Sequence, residues 1–361
     1  MNDGMRDVYI SGAAAVSVLG FDWRQLGQAI MDCAPACAAA FAPSRQLGET
    51  HGPVIGAEVP AIPAQIDVDA RSRKLMSHPA RLAAVALRLA LLDAAWPQHG
   101  CEETALYLGV GASGCAMDEL NRMLAESIAE RKFSQARFGS AGLAACNPLF
   151  AFQLMNNFTL CHGAILNGTG GANGAFYSRG TGTVAALAEA RWHIAAGECA
   201  RALAGGADSA MHPVTWAQLV RDGYPAKGFI PGEGAGVLAL SASADGALAR
   251  LEKTAFHSVR AYAKAPLKLT GEELADAGSD DLIVLAPWGN GARDRLYGAL
   301  HGTRATVVDA SIFLGDALAA APSLAWCAAL DLLRQGHWRR AFVLNAGIDG
   351  GIGLAVMGRM A

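Results

Sequence analysis

Short apolar runs that end in glycine alternate along this chain with longer apolar runs, and this alternation constrains the fold more than any other feature. Residues 105–108 and 201–204 lead into glycines, whereas residues 82–94 and 184–196 are apolar on nearly all sides. Short runs bounded by glycine are typical of buried strands, and the longer runs predict buried helices. Strands that alternate with crossover helices predict an α/β fold with mostly parallel sheets.

The second part of the chain repeats this alternation. The pattern predicts strands at 8–11, 282–286, 306–308, 341–345 and 354–357, helices at 23–33, 293–300 and 318–335, and an irregular connection over 35–66. Gly197 follows a predicted helix and is expected to end it in a left-handed conformation. Two parts built alike suggest a duplicated unit, with one half at 1–245 and the other at 246–361.

Composition excludes several classes of function. The net charge is −3 and no run of Lys and Arg occurs, which argues against nucleic acid as a partner. Charged residues interrupt every apolar helical run before it reaches the roughly 20 residues that cross a membrane. The first residues lack the pattern of a signal peptide, and the eight cysteines include no C-x-x-C pair, so we expect a cytoplasmic protein with free thiols and no metal site.

Glycines at 109, 111 and 114 match G-x-G-x-x-G after a predicted strand. A dinucleotide site would use such glycines to bring the backbone close to a pyrophosphate. The match is weak in a chain with 42 glycines, and no acidic strand end follows at a suitable distance. We therefore interpret it as a structural turn and expect no cofactor. His162 follows Cys161 directly, and because adjacent side chains usually diverge, we expect no catalytic Cys–His pair there.

Residues 155–209 resemble the β-ketoacyl synthase family, which has the thiolase-like fold. The family pattern matches without gaps at His162, Gly168, Gly171 and Gly197 and at the A-G-G-A-D strand end over 204–208. Residues 221–223 and 229–236 are similar to the family signature D-G-F-x-x-G-E-G-A-G, with a small insertion. The resemblance extends over nearly the whole chain. It implies a layered αβαβα architecture built from two similar halves with mostly parallel sheets.

The resemblance also implies that the catalytic residues are lost. The nucleophilic cysteine of the family falls on Gly180, and its first histidine falls on Pro287, or on Ala286 in a shifted alignment. The second histidine falls on Asp316, which as an anion would repel a malonyl carboxylate, and the supporting lysine falls on Ser311. Glycine cannot hold an acyl group. Hydroxyls at Ser178, Thr181 and Thr183 are alternative nucleophiles without an identifiable base.

Inactive members of this family resemble chain length factors, which form heterodimers with an active ketosynthase subunit. The resemblance thus implies a non-catalytic partner that shapes acyl, polyene or polyketide elongation on acyl carrier protein. Two alternatives stay open: an active synthase or acyltransferase of unusual mechanism, and a scaffold that binds acyl carrier protein. In the family, the strand before the nucleophile pairs across the dimer axis. This places at the interface Ala172, Asn173, Gly174, Ala175, Phe176, Tyr177, Ser178 and Arg179.

Overall fold

The computed structural model describes residues 5–32, 41–97, 101–112, 114–178, 181–258, 274, 277–347 and 351–360. Ten strands form one sheet in this part of the chain. They are β1 (Tyr9–Val16), β2 (Ala105–Val110), β3 (Asn173–Tyr177), β4 (Arg201–Ser209), β5 (Glu233–Ser241), β6 (Ala249–Ser258), β7 (Asp281–Pro287), β8 (Thr306–Asp309), β9 (Arg340–Ala346) and β10 (Gly351–Arg359).

The same part of the chain contains seven helices of nine or more residues, most of which pack on these strands. They are α1 (His78–Asp93), α2 (Met117–Glu126), α3 (Phe158–Asn167), α4 (Gly182–Ala196), α5 (Pro213–Arg221), α6 (Gly289–Ala299) and α7 (Ala321–Arg334). Shorter α-helices lie at Leu26–Met31, Arg45–His51, Ala70–Arg73, Gln135–Arg137, Leu143–Ala145, Ala151–Leu154 and Ser311–Leu314, and two-residue strands lie at Ala42–Pro43, Ile55–Gly56, Ile128–Ala129 and Lys132–Phe133. Turns of 3-10 helix lie at Trp23–Gln25, Pro148–Phe150, Pro225–Lys227 and Leu318–Ala320, and a π-helical turn lies at Phe138–Gly142.

The sheet consists of two groups of five strands with the same order. The first group runs β3-β2-β4-β5-β1 and the second runs β8-β7-β9-β10-β6. In each group the first two pairs are parallel and the next two are antiparallel, so four of the five strands point the same way. A short antiparallel ladder between β1 and β6 joins the groups, with Tyr9 opposite Arg250. The two similar halves and the mostly parallel strand direction are confirmed, and the division at 245/246 stays a prediction.

Five layers follow from this arrangement. Helices α4 and α7 lie in the middle, in a core to which strands of both groups contribute. Helix α1 covers the other face of the first group together with α3, and α6 covers the other face of the second. Because α7 is buried from Ala321 to Leu333, its sequence is mostly apolar on all sides, which is the pattern that predicted it, whereas α4 is only partly buried and leaves Trp192 49% exposed. The αβαβα expectation is confirmed.

Helix termini follow their local sequence. The side chain of Ser77 caps α1 by accepting the N–H of Ala80, and Pro79 occupies the first turn, where its missing N–H is not needed. At the end of α4, Gly197 adopts φ +80°, a conformation that favours glycine, as predicted.

Several sequence expectations need correction. The region at 35–66 is not simply irregular, because its described part contains the helix Arg45–His51, whose first turn is capped by Ser44. The helix expected at 23–33 is a 3-10 turn followed by Leu26–Met31, and residue 33 lies outside the described residues. Helix α6 begins at Gly289, four residues before its predicted start. The sequence pattern did not predict the strands β5 and β6.

Candidate functional site

Three of the positions implied by the family resemblance lie near the carboxyl ends of β7 and β8, at the kind of sheet edge where parallel strands commonly form ligand sites. Pro287 is the last residue of β7, Ser311 begins a short helix after β8, and Asp316 follows that helix. Gly180, the position of the lost nucleophile, and Arg179 lie outside the described residues. The structure therefore describes three of the four positions at which the resemblance implies a lost catalytic residue.

Asp316 is a buried structural link. Its Oδ2 accepts the backbone N–H of Ile230 at 2.9 Å, and its Oδ1 accepts the backbone N–H of Gly289 at 3.0 Å. The backbone N–H of Asp316 in turn donates to the carbonyl of Ile230 at 2.8 Å. The side chain thus holds the loop before β5 against the start of α6, and both of its oxygens are engaged.

Burial raises the pKa of the Asp316 carboxyl to about 7, although the N–H groups of Gly289 and Ile230 act in the opposite direction. A buried carboxyl loses hydration most strongly when ionised, which explains the direction of the shift. Asp316 is not among the residues that line the nearby cavity, and both of its oxygens accept backbone N–H groups, so the expectation that it faces a substrate as an anion stays a prediction.

Ser311 belongs to a second buried network. Its hydroxyl donates to Oδ1 of Asp309 at 2.7 Å and accepts from a guanidinium nitrogen of Arg293 at 3.0 Å. Arg293 also pairs with Oδ2 of Asp309 at 2.6 Å, and the Asp309 side chain is fully buried. The network fixes α6 to the end of β8. No free cationic group is left at the position where the family has a lysine, because Arg293 is already paired.

Pro287 and Ala286 are strand residues without polar side chains. Pro287 lies opposite Ala346 of β9, and the carbonyl of Ala286 accepts the side-chain amide of Asn345 at 2.9 Å. The next residue, Trp288, is buried, and its indole Nε1 has no hydrogen-bond partner among the described residues. Neither alignment of the first histidine thus places a proton donor or acceptor side chain at this strand end.

A narrow cavity remains beside these positions. Its volume is ≈ 40 Å³, enough for about three water molecules. Its lining consists of Gly111, Ala112, Tyr177, Ser178, Asp208, Thr215, Gln218, Leu219, Trp288 and Leu318. The titratable side chains among these are Asp208 and the Tyr177 phenol, so the cavity offers no imidazole or amine as a base.

Asp208 closes the bottom of this cavity. Its Oδ1 accepts the backbone N–H of Ser209 at 2.8 Å and its Oδ2 accepts that of Ala319 at 3.2 Å. Burial raises the pKa of this carboxyl to about 7 against those two hydrogen bonds. A Cβ on Gly111 would lie 1.7 Å from Oδ2 of Asp208, so close packing explains this glycine of the G-x-G-x-x-G run and no phosphate is needed.

The three hydroxyls considered as substitute nucleophiles have different surroundings. Thr183 is buried in the first turn of α4 and donates its hydroxyl to the carbonyl of Ala319. Ser178 lines the narrow cavity, and Thr181 is the residue that precedes α4. Within the described residues, no histidine or lysine side chain lines the cavity that Ser178 contacts. His162 is not indicated as a base for these hydroxyls: its ring packs on Phe158, and burial lowers the pKa of its imidazole.

Strand β3 carries the predicted interface residues and lies at one edge of the sheet. It pairs with β2 on one side only, from Asn173 opposite Leu106 to Tyr177 opposite Val110. Alternate side chains point outward, and Tyr177 is 54% exposed. Ala172 precedes the strand and Ser178 follows it.

One further cluster, formed by residues far apart in the chain, was not predicted from the sequence. His78, Glu233 and His212 lie close together, with Nε2 of His78 3.1 Å from Oε1 of Glu233. Glu233 stands in the signature at 229–236, but its partner lies 155 positions earlier in the chain. A buried Glu within a glycine-rich strand start was the one available signal, because such a carboxylate needs a partner.

In the described ranges of the chain, no group of three or more His, Cys, Asp and Glu side chains is arranged to hold a metal ion. None of the helices in the same ranges is both long and apolar enough to cross a bilayer.

Comparison with solved structures finds the same fold. The ishigamide ketosynthase/chain length factor matches with a TM-score of 0.75 and 18% identity, covering 99% of this chain and 100% of the other. A β-ketoacyl synthase from Burkholderia phymatum STM815 matches with the same four values. A type II polyketide synthase acyl-carrier protein in complex with its ketosynthase matches with a TM-score of 0.74 and 14% identity, over 99% of this chain and 100% of the other.

A search of curated protein sequences finds no match. The sequence profile of the β-ketoacyl synthase N-terminal domain matches residues 5–246, which is more than half of the chain. The chain belongs to the β-ketoacyl synthase family.

Proposed function

We propose that this chain is a non-catalytic β-ketoacyl synthase subunit, a chain length factor, that forms a heterodimer with an active ketosynthase. The observation that carries the proposal is the state of Asp316, which occupies the position of a catalytic histidine. Both of its oxygens accept backbone N–H groups, and it links two loops. A group held in this way cannot turn to stabilise an enolate or a thioester oxyanion, which requires donors aimed at the developing charge.

The other lost positions support the same proposal. Gly180 has no side chain to acylate, and Pro287 ends a strand without a polar group. The hydroxyl of Ser311 is engaged by Asp309 and Arg293. The narrow cavity nearby holds about three waters, far less than the ~300 Å³ at which small-molecule sites begin. Loss of the nucleophile, of both histidines and of the lysine favours a partner subunit over an enzyme with one exchanged residue.

The edge strand β3 supports a partner at this side of the sheet. An open edge presents unpaired N–H and C=O groups, and soluble proteins normally protect such edges with charges, proline or a covering element. No charged residue or proline occurs from Asn173 to Tyr177. The segment leading into β3 also exposes large apolar side chains, namely Leu143, Leu149, Leu154, Met155 and Ile165, the last being 77% exposed. Exposed apolar side chains favour burial against another protein.

The partner would supply the chemistry and this chain would complete the assembly. A synthase with Cys, His and His would carry out condensation on acyl carrier protein, and this chain would stabilise it and help shape the space for the growing acyl, polyene or polyketide chain. Among the structural relatives, one is itself a ketosynthase/chain length factor pair, and another is a ketosynthase in complex with its acyl-carrier protein. Among pathways that elongate acyl, polyene or polyketide chains, we favour an aryl-polyene pathway for this chain.

Co-expression with the ketosynthase encoded nearest to this chain tests the proposal. Size-exclusion chromatography with mass detection should give a one-to-one complex, and elongation from malonyl-loaded carrier protein should require both chains. A complex in which the partner's own nucleophilic Cys is replaced by Ala is the matched control and should lose all activity. If this chain alone elongates or hydrolyses thioesters, it is an enzyme of unusual mechanism, and if it binds carrier protein without a synthase, it is a scaffold. Either result would refute the heterodimer proposal.

A further inference from the structure

A second cavity, with a volume of ≈ 340 Å³, lies apart from the narrow cavity that Asp208 closes. The polar side chains that line it include two imidazoles, those of His78 and His212, and the thiol of Cys115. Apolar side chains, among them Met76 and Met117, form the rest of its wall. The volume falls at the lower end of the range for small-molecule sites, which combine apolar walls with a few polar groups.

The charge of His78 is fixed by Glu233. Oε1 of Glu233 lies 3.1 Å from Nε2 of His78, and the carboxylate is almost completely buried. It also accepts from Ser209 at 2.7 Å, from Gln46 at 3.0 Å and from the backbone N–H of Val59 at 3.1 Å. Four donors saturate its acceptor sites, so no acceptor of Glu233 remains for a ligand.

The ring of His78 is therefore a donor toward its surroundings. Burial by itself would lower the pKa of His78, but the charge of Glu233 and the hydrogen bond to it raise the pKa above its ordinary value. With Nε2 bound to Glu233, the ring keeps Nδ1, which has no hydrogen-bond partner within the described ranges. In an imidazolium both nitrogens donate, and because the His78 side chain is 34% exposed, this atom can donate to water or to a bound acceptor.

His212 provides a second unsatisfied nitrogen at the same cavity. Its Nε2 lies 2.9 Å from the carbonyl oxygen and 3.1 Å from the backbone nitrogen of Cys115. Its Nδ1 is buried and has no hydrogen-bond partner in the described part of the chain. Burial lowers the pKa of this imidazole, and the charge of His78 contributes in the same direction. A buried ring nitrogen without a partner is uncommon and calls for a bound group.

Three helices also begin at this cavity. Ser77 and His78 start α1, Ala116 and Met117 start α2, and His212 and Pro213 start α5, and these six residues all line it. Neither α2 nor α5 has a side-chain cap, although Asp118 and Glu119 stand in the first turn of α2 and Pro213 begins α5. Helix N-termini carry partial positive charge and favour anions.

We propose that this cavity binds a small oxyanion, a carboxylate or a phosphate group, between His78, His212 and the converging starts of α1, α2 and α5. Such a ligand supplies acceptors to the imidazoles and to the uncapped helix starts. Nothing in this inference depends on the partner-subunit proposal, because none of its residues takes the place of a family catalytic residue.

The test uses the full chain with ¹³C-labelled histidine, titrated with inorganic phosphate and with acetate, and with chloride at equal ionic strength. Two imidazole signals should shift with saturation, and these should be the signals that disappear in His78→Gln and His212→Gln. His78→Gln should weaken binding roughly tenfold or more, since a charge-assisted hydrogen bond is lost. The exposed His301→Gln should leave binding unchanged.

The two anions separate the chemical sources. Saturable binding of phosphate alone would identify a phosphate-bearing ligand, and binding of acetate a carboxylate-bearing one. Both results support the site. Shifts that grow linearly with concentration, that chloride reproduces, or that involve all histidines equally would refute it. Because the wild-type titration already decides between these outcomes, a variant that fails to fold does not prevent the test.

Discussion

Replacement of Asp316 by Asn should change how the stability of this protein depends on pH. The folded-state pKa of Asp316 is raised by burial to about 7, from the ordinary value of 3.8. An acid with a raised folded pKa keeps its proton in the folded state while the unfolded chain has lost it. Between these two pKa values the folded state therefore binds more protons, and stability falls as pH rises.

The magnitude follows from the size of the shift. About three pKa units at ~1.4 kcal/mol each amount to ~4 kcal/mol, of which roughly 2–3 kcal/mol develops between pH 5 and pH 8. Asn does not titrate, and because its NH2 group cannot accept one of the two backbone N–H groups that Asp316 accepts, it adds a cost that does not depend on pH. We expect the stability of Asp316→Asn relative to wild type to rise by roughly 2–3 kcal/mol over that interval. For 361 residues this corresponds to a relative Tm shift of roughly 3 °C.

Urea unfolding at pH 5, 6, 7 and 8 measures this difference directly. The exposed Asp294→Asn, on α6, is the matched control and should show no pH-dependent difference from wild type. Asp208→Asn should behave like Asp316→Asn, because burial raises its pKa to about 7 as well. If the difference between Asp316→Asn and wild type is constant from pH 5 to pH 8, Asp316 is ionised throughout and the reasoning from burial is wrong.

Three further predictions concern the network, the edge strand and the lost nucleophile. Arg293→Gln should destabilise the protein by ~3 kcal/mol in urea unfolding, because it leaves the carboxylate of Asp309 buried without its charge partner. The exposed Arg295→Gln should have little effect, and equal effects of the two variants would contradict the buried pair. Ala175→Lys, on β3, should abolish the one-to-one complex in size-exclusion chromatography while leaving the Tm within a few degrees, whereas Thr306→Lys on the opposite edge strand β8 should leave the complex intact. A complex that survives Ala175→Lys excludes β3 as the interface. Gly180→Cys should give no elongation of malonyl-loaded carrier protein by this chain alone, because no histidine or lysine side chain lines the described cavity nearby; measurable turnover would show that a base is present.

The family signature in the sequence contained more information than its length suggests. The strand end at 204–208 and the run at 229–236 became the ends of β4 and β5, and these strands lie side by side in the sheet. Residues at their ends, Asp208 and Glu233, are buried carboxylates: Asp208 lines the narrow cavity, and Glu233 contacts His78, which lines the second cavity. Glycine spacing made the pattern recognisable, because only glycine fits where backbones approach this closely.

What the sequence by itself determined is local or compositional: which segments are buried helices and strands, that the two halves are alike, and that positions 180, 287 and 316 hold no nucleophile or imidazole. These properties follow from periodicity and from residue chemistry, which need no knowledge of distant contacts. The missed strands β5 and β6 show the limit, since both pair with partners far along the chain.

Only the tertiary structure decided the strand order, the link that Asp316 makes between Ile230 and Gly289, and the contact of His78 with Glu233. These pairs are separated by 86, 27 and 155 positions. No local pattern specifies such contacts, because they form only once the sheet has brought distant loops together. The same burial that creates them removes water from the carboxylates, so the pKa of Asp316 is also a property of the fold and not of the residue.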